Sequence, residues 1–197
     1  MKTAIRYRYI DDYKTVPYVG ANGRSKEKVQ YIGKWVLFLD NEAVLRKKFW
    51  MMRVTAIVSF LALFGALLCS GETDLFEFAT IPLAMGLFPL TYQIMGICSL
   101  PRKFAPMERR PYQHGVPRVN HSAMGLAILG GVGLLARLTV TILGAFHVVQ
   151  AAAFGWLDVL FLFSTVVLIG MNLFCFLSSC KIAVEERPNE DFPSKPR

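Results

Sequence analysis

Charge is scarce in this sequence. Asp, Glu, Lys and Arg make up 18% of the 197 residues, against about 25% in an ordinary soluble domain. The charge is also lopsided, with 14 acids facing 22 bases for a formal net charge of +8. Cysteines number four, and no two are set as Cys-x-x-Cys, the spacing that thiol–disulfide chemistry commonly uses. Cys69, Cys98, Cys175 and Cys180 therefore read as small buried hydrophobes, with Cys98 and Cys180 also placed where an acyl group could attach at an inner membrane interface. The three histidines, His114, His121 and His147, lack ligand spacing. No Gly-rich loop with a following Lys, no Gly-x-Ser-x-Gly and no His-Glu-x-x-His occurs, so neither an enzyme nor a bound metal or cofactor is expected. Glycine, at 15 residues, is near its usual share, which excludes collagen-like and low-complexity chains.

What the chain has in excess is apolar side chain, at 54% of residues with a mean hydropathy of +0.40. A hydrocarbon core about 30 Å thick takes roughly 20 helical residues to cross, and four stretches are long enough, approximately 50–70, 76–100, 122–146 and 156–180. Buried helices of soluble proteins average about 11–12 residues and keep a polar face, whereas these runs are apolar all round for about twice that length. The expected fold class is an all-α integral membrane protein, a four-transmembrane-helix bundle with a small cytoplasmic N-terminal β-element.

Orientation follows from the basic residues, because short loops rich in Lys and Arg stay on the cytoplasmic side. Twenty-one of the 22 lie before residue 54, between the second and third runs, or after the fourth. The two other connections hold Glu72, Asp74, Glu77 and Asp158 and no base. Both termini are then expected in the cytoplasm, in the plasma (cell) membrane, with the first run acting as an uncleaved signal anchor. Trp50, Tyr112 and Trp156 fall near the predicted interfaces, where amphipathic rings settle. The sequon Asn120-His121-Ser122 lies on the cytoplasmic edge, out of reach of glycosylation.

Residues 1–48 alternate polar and apolar side chains in places and carry Asn22-Gly23, a strong hairpin signal. They predict short strands near 5–10, 14–20 and 28–38. Asp40 is the expected cap of the helix that follows. This element is too small to house an enzyme core; it reads either as a docking edge that lends a strand to a partner or as a solvated cap over the inner ends of the spans. Residues 101–121, with four prolines, predict a basic loop, and 182–197 a cytoplasmic tail. Arg102, Lys103, Arg109, Arg110 and Arg118 in that loop are candidate contacts for anionic lipid, although such a run is more often simply the positive-inside signal. The bilayer, not nucleic acid, is the partner this charge implies.

Arg137 stands alone inside the third run. A charge there costs roughly 2.5–3.5 kcal/mol on insertion scales and is normally paired. Asp158 and Glu77 enter the fourth and second runs from the same edge and are its candidate partners, in a functional site or in a clasp that fixes helix rotation. The other deep polar groups are Gln93, Thr139, Thr141 and Asn172. Ala127, Gly130, Gly131 and Gly133 form a small-residue face that lets another backbone approach, and Pro82 and Pro89 are set to kink the second run. The reading that follows is a non-enzymatic accessory, assembly or regulatory subunit of a membrane complex, bound to a protein partner or to its own copies. The alternative is a small oligomeric transporter or channel using the third span and Arg137.

Overall fold

A computed structural model describes residues 12–19, 25–69, 77–101, 106–146 and 155–188. The chain is mostly helical, with four helices long and apolar enough to cross a membrane, and small sheets gathered at one end. The order is β1 (Tyr13–Val19), β2 (Ser25–Tyr31), β3 (Trp35–Phe38), α1 (Glu42–Leu68), α2 (Glu77–Met85), α3 (Leu87–Cys98), β4 (Met107–Glu108), α4 (Arg109–Ala145), α5 (Trp156–Ser179) and β5 (Val184–Arg187).

β1 and β2 form an antiparallel hairpin running from Tyr13 opposite Tyr31 to Val19 opposite Ser25. The expected strand at 5–10 and the Asn22-Gly23 turn lie outside the described residues. The run 28–38 does not form one strand but breaks between β2 and β3. At the break the N–H groups of Ile32 and Gly33 both donate to the Asp12 carbonyl. A Cβ on Gly33 would lie 2.6 Å from Asp12 Cγ and 2.7 Å from the Tyr31 hydroxyl, so only glycine lets the chain turn this close to β1. β3 then enters a second sheet, of order β4-β3-β5, with Trp35 opposite both Glu108 and Arg187 and Phe38 opposite Val184. The segment after 182, read as a tail, thus supplies a strand.

Asn41, not Asp40, caps α1: its Oδ1 accepts the Ala43 N–H at 3.2 Å. Asp40 instead receives Lys48 Nζ at 2.7 Å, and Lys48 also donates to the Lys181 carbonyl at 2.8 Å. The second apolar run is two helices, broken at Gly86. Pro89 has no N–H to offer the Met85 carbonyl; with the break at Gly86 it falls in the first turn of α3, where none is needed. A Cβ at position 86 would sit 2.8 Å from the Leu83 carbonyl oxygen.

The largest departure concerns 101–121. From Arg109 onward this segment is helix, continuous through the apolar run to Ala145, 37 residues in all or about 55 Å. Proline content argues for a loop only where a needed N–H is lost. Pro111 is the third residue of α4, within the turn whose N–H groups have no helical acceptor, and Pro117 alone removes an interior bond. The helical sequon contains Asn120, which is engaged with the neighbouring α5.

The helices surround one another in the order α1, α5, α4 and then α2 with α3, each against its neighbours, and α1 touches α2 and α3 lightly. Two apolar clusters fill the interior. One, next to the sheets, includes Leu45, Phe49, Met52, Val119, Ala123 and Cys175. The other, towards the far end, includes Leu63, Leu83, Leu90, Leu126, Phe161 and Leu168. Tyr112, expected at an interface, turns inward and stacks edgewise on Phe38, while Trp50 and Trp156 are exposed. Of the four cysteines only Cys175 is buried; Cys69 is half-buried, and Cys98 and Cys180 are exposed.

The small-residue face divides. Ala127 is buried, Gly130 faces Ile169 of α5, and Gly133 faces Leu83 and the Ala79 carbonyl of α2, whereas a Cβ at Gly131 would meet nothing within 4 Å. Gly133→Ala should therefore lower the melting temperature of the detergent-solubilised protein, because the Ala79 backbone at 3.2 Å has no side chain to swing aside. Gly131→Ala should leave it unchanged or raise it, since alanine is favoured over glycine in a helix by roughly 1 kcal/mol.

Candidate functional site

Buried polar side chains are few among the described residues, and at two places along the bundle they include charged or amide groups that bond across helices. The first is near the end away from the sheets. Arg137 of α4 is 3% exposed and its Nη2 donates to Asp158 Oδ1. Asp158 is fixed from its other side, its Oδ2 accepting the Gly155 N–H at 2.7 Å, so the carboxylate closes the first turn of α5 while it neutralises the arginine. Gly130 lies against Ile169, and carrying that register along two antiparallel helices puts Arg137 level with residue 162. The guanidinium therefore reaches outward about one turn, roughly 6 Å, to find its partner. Its Cζ also stands 5.3 Å from the centre of the Phe161 ring. The Glu77 side chain, the other candidate partner, lies outside the described residues.

The second place is the middle of the bundle. Gln93 of α3 donates from Nε2 to Asn172 Oδ1 at 3.1 Å. Asn172 of α5 donates from Nδ2 to Ser59 Oγ of α1 at 2.7 Å and to the Leu168 carbonyl at 2.9 Å. All three side chains are completely buried, so three helices meet in one hydrogen-bonded layer that separates the two apolar clusters. Gln93 Oε1 has no hydrogen-bond partner among the described residues. Thr139 and Thr141, the other deep polar groups, only return their hydroxyls to carbonyls one turn back.

One pattern joins the two places. Asp158, Thr165, Asn172 and Ser179 recur every seven residues on the inner face of α5, alternating with Phe161, Leu168, Cys175 and, just past the helix, Ile182. Each polar member is satisfied at its own level: Asp158 by Arg137, Thr165 by the Phe161 carbonyl at 2.8 Å, Asn172 as above, and Ser179 by Asn120 Oδ1 of α4 at 2.6 Å. Ser59, Ser179 and Asn120 are absent from the expected set of deep polar groups. The seven-residue spacing was the available signal, since a polar residue every second turn of an apolar helix is unlike random decoration.

The basic residues of 101–121 are sorted by the helix. Arg102 and Lys103 lie outside the described residues. Arg109 turns to Glu186 of β5 at 3.4 Å, and Glu186 also faces Lys34 at 3.9 Å. Arg110 is exposed, and Arg118 lies over the Tyr92 ring at 4.8 Å. Around them the hairpin is tied down by tyrosines: Tyr13 donates to Glu108 Oε2 at 2.8 Å, while Tyr31 donates to the Lys34 carbonyl at 2.6 Å and accepts the Arg109 N–H at 3.2 Å. Burial, reinforced by the Glu108 carboxylate, pushes the Tyr13 phenol up to about 12, and burial raises Tyr31 as well.

No protein-family model, no curated protein and no solved structure matches the chain.

Two outcomes follow from this geometry. Breaking a buried ion pair from one side costs roughly 3–5 kcal/mol, and removing the remaining charge returns part of that. Arg137→Leu should therefore melt well below wild type in detergent, and Arg137→Leu/Asp158→Asn should recover part of the loss; equal melting of both variants would show that the pair contributes nothing. The Tyr13 phenol keeps its proton longer in the folded chain than in the unfolded one. Its contribution is thus complete below pH 10 and lost as pH rises towards 12. Absorbance titration should show a late phenol that Tyr13→Phe removes.

Proposed function

We propose that this chain is a non-enzymatic multi-pass membrane protein with both termini in the cytoplasm of the cell, acting as an accessory, assembly or regulatory subunit of a membrane complex. One observation carries the choice over a transporter. Between the Arg137–Asp158 pair and the Ser59–Gln93–Asn172 layer lies the apolar cluster of Leu63, Leu83, Leu126, Phe161 and Leu168. Thr165, the buried polar side chain at that level, spends its hydroxyl on its own helix. Polar groups seven residues apart on α5 are about 10 Å apart along the axis, too far for direct relay. Among the described residues the polar groups therefore form separate rungs, as expected of side chains that lock helices together, and not a path that a solute would follow.

The β1–β2 hairpin and the open notch at Gly131 are the surfaces assigned to partners. Close packing, not hydrophobicity, drives helices together in lipid; a Cβ at Gly131 meets nothing within 4 Å, so a leucine there should leave the fold intact while blocking a neighbour. The transporter alternative is favoured by one feature, the break of the second span at Gly86 between two prolines, since interrupted helices line binding sites in transporters.

Purification in mild detergent followed by identification of co-purifying chains tests the reading. A stoichiometric partner should be recovered with wild type, and recovery should fall with Gly131→Leu, which should leave the melting of the bundle unchanged, and with deletion of residues 1–30, which should leave the four long helices folded while removing the Tyr13–Glu108 contact. The reading fails if the purified protein alone, in liposomes, passes a solute with a flux that Arg137→Leu abolishes and the deletion leaves alone.

A further inference from the structure

Helix formation by 109–121 places Arg110, His114 and Arg118 four residues apart, so the three share one face of the α4 extension. Arg110 is exposed, and His114 and Arg118 are half-exposed. The charges of both arginines act on the His114 ring. Four acids described at this end of the bundle are committed elsewhere. Glu108 accepts from Tyr13, Glu186 faces Lys34 and Arg109, Asp40 holds Lys48, and Glu185 holds Arg187. Among the described residues neither Arg110 nor Arg118 makes an ion pair with an acid, although Arg110 is near enough to the Tyr13–Glu108 contact to act on the Tyr13 phenol; like charges are thus stacked along about 12 Å of helix.

Arg118 is the best fixed of the three. Its Cβ lies against α3, 3.1 Å from where a Cβ on Gly96 would stand. Its guanidinium is laid over the Tyr92 ring, with Cζ 4.8 Å from the centroid, which leaves the N–H edges directed around the ring rim. On α3, Phe88, Tyr92 and Met95 are exposed and follow one another at helical spacing on a single face. A cationic ledge therefore borders an apolar strip, the two halves of an amphiphile's contour.

We propose that Arg110, His114, Arg118 and Tyr92 form a binding site for the phosphate headgroup of an anionic phospholipid in the leaflet on the sheet side, with its acyl chains along Phe88 and Met95. Charge complementarity selects the headgroup, and the apolar strip selects a lipid over a soluble phosphate. The proposal requires that the four helices span a bilayer, and it is independent of the subunit role: lipid selection can fail while a partner is still recovered, and the reverse.

The test uses the full chain, reconstituted in vesicles of equimolar phosphatidylcholine and phosphatidylglycerol, extracted in mild detergent and weighed with its bound lipid by native mass spectrometry. Wild type should retain phosphatidylglycerol over phosphatidylcholine. Arg110→Gln/Arg118→Gln should lose about 25-fold of that preference, at about five-fold for each cation near the surface. Arg46→Gln/Lys47→Gln, which removes the same charge at the start of α1, should keep it. Tyr92→Leu keeps every charge and should lower the preference about three-fold by releasing Arg118, which answers the question even if the double variant does not fold. Equal losses in the two double variants, or no preference in wild type, would overturn the site. So would stabilisation of the lipid-free protein by inorganic phosphate equal to that given by phosphatidylglycerol, which would assign the stripe to a soluble anion.

Discussion

The bundle is held in register by one stripe of α5. In the bilayer proposed for this bundle, apolar side chains make poor register marks, because lipid tails are as apolar as leucine and one sliding position is nearly as good as the next. Polar side chains are different, since each one left without a partner costs a desolvated hydrogen-bonding group. Asp158, Thr165, Asn172 and Ser179 put such a group on every second turn of α5, and three of the four are answered from other helices: Arg137 and Asn120 of α4, Gln93 of α3 and Ser59 of α1. Sliding α5 by one turn would break all of these together. The apolar members of the same stripe, Phe161, Leu168 and Cys175, fill the space between rungs, so specificity and packing reside in alternate residues of a single seam.

The sheet end solves a different problem. Three pieces of chain that are far apart in sequence, 35–38, 107–108 and 184–187, pair in one small sheet, with Val36 fully buried beneath it. Two strands of this length would not persist alone in water. They do so here because each is the direct continuation of a helix already held in the bundle: β3 runs into α1, β4 into α4, and β5 follows α5. Glu186 on the edge strand then faces both Lys34 and Arg109, while Tyr31 couples the hairpin to the first N–H of α4. Hairpin, sheet and bundle are joined through these few polar contacts.

The four long helices were legible in the sequence because length and hydropathy are additive over some twenty residues, and no single side chain can hide the signal. Arg137 and Asp158 were legible for the opposite reason, being isolated charges in apolar surroundings. What escaped depended on position within an element. Proline at 111 is a helix breaker or a neutral first-turn residue according to where the helix begins, and that start is set by pairing of β4 with β3, which no local pattern reveals. The break at 32–34 comes from Asp12 reaching back to Ile32 and Gly33, a contact across the hairpin. Gly130, Gly131 and Gly133 look alike in sequence, yet two meet different helices and a Cβ at the third would meet nothing within 4 Å; three different directions around a helix separate what spacing alone groups together. Gln93 and Asn172 could be named as deep polar groups, but their meeting required the relative positions of α3 and α5 along the bundle, and those depend on the break of the second apolar run at Gly86.

The ion pair and the mid-bundle layer also differ in what they demand of their surroundings. A charge pair deep in hydrocarbon recovers its desolvation cost only with good geometry and further hydrogen bonds, which favours placing it towards an end. Asp158 is the third residue of α5, and Arg137, about two turns from the end of α4, reaches outward to it. The helix start lends Asp158 a backbone N–H from Gly155, and that first turn is where the helix dipole favours a carboxylate. Neutral amides and hydroxyls carry a smaller cost, so Gln93, Asn172 and Ser59 can occupy the centre. The pair is made between helices joined by a short connection, its members only 21 positions apart, whereas Ser59 and Asn172 are 113 apart. The charged contact can thus form within the α4–α5 hairpin, and the neutral layer, which needs α1, α3 and α5 together, can close only when the whole bundle is assembled.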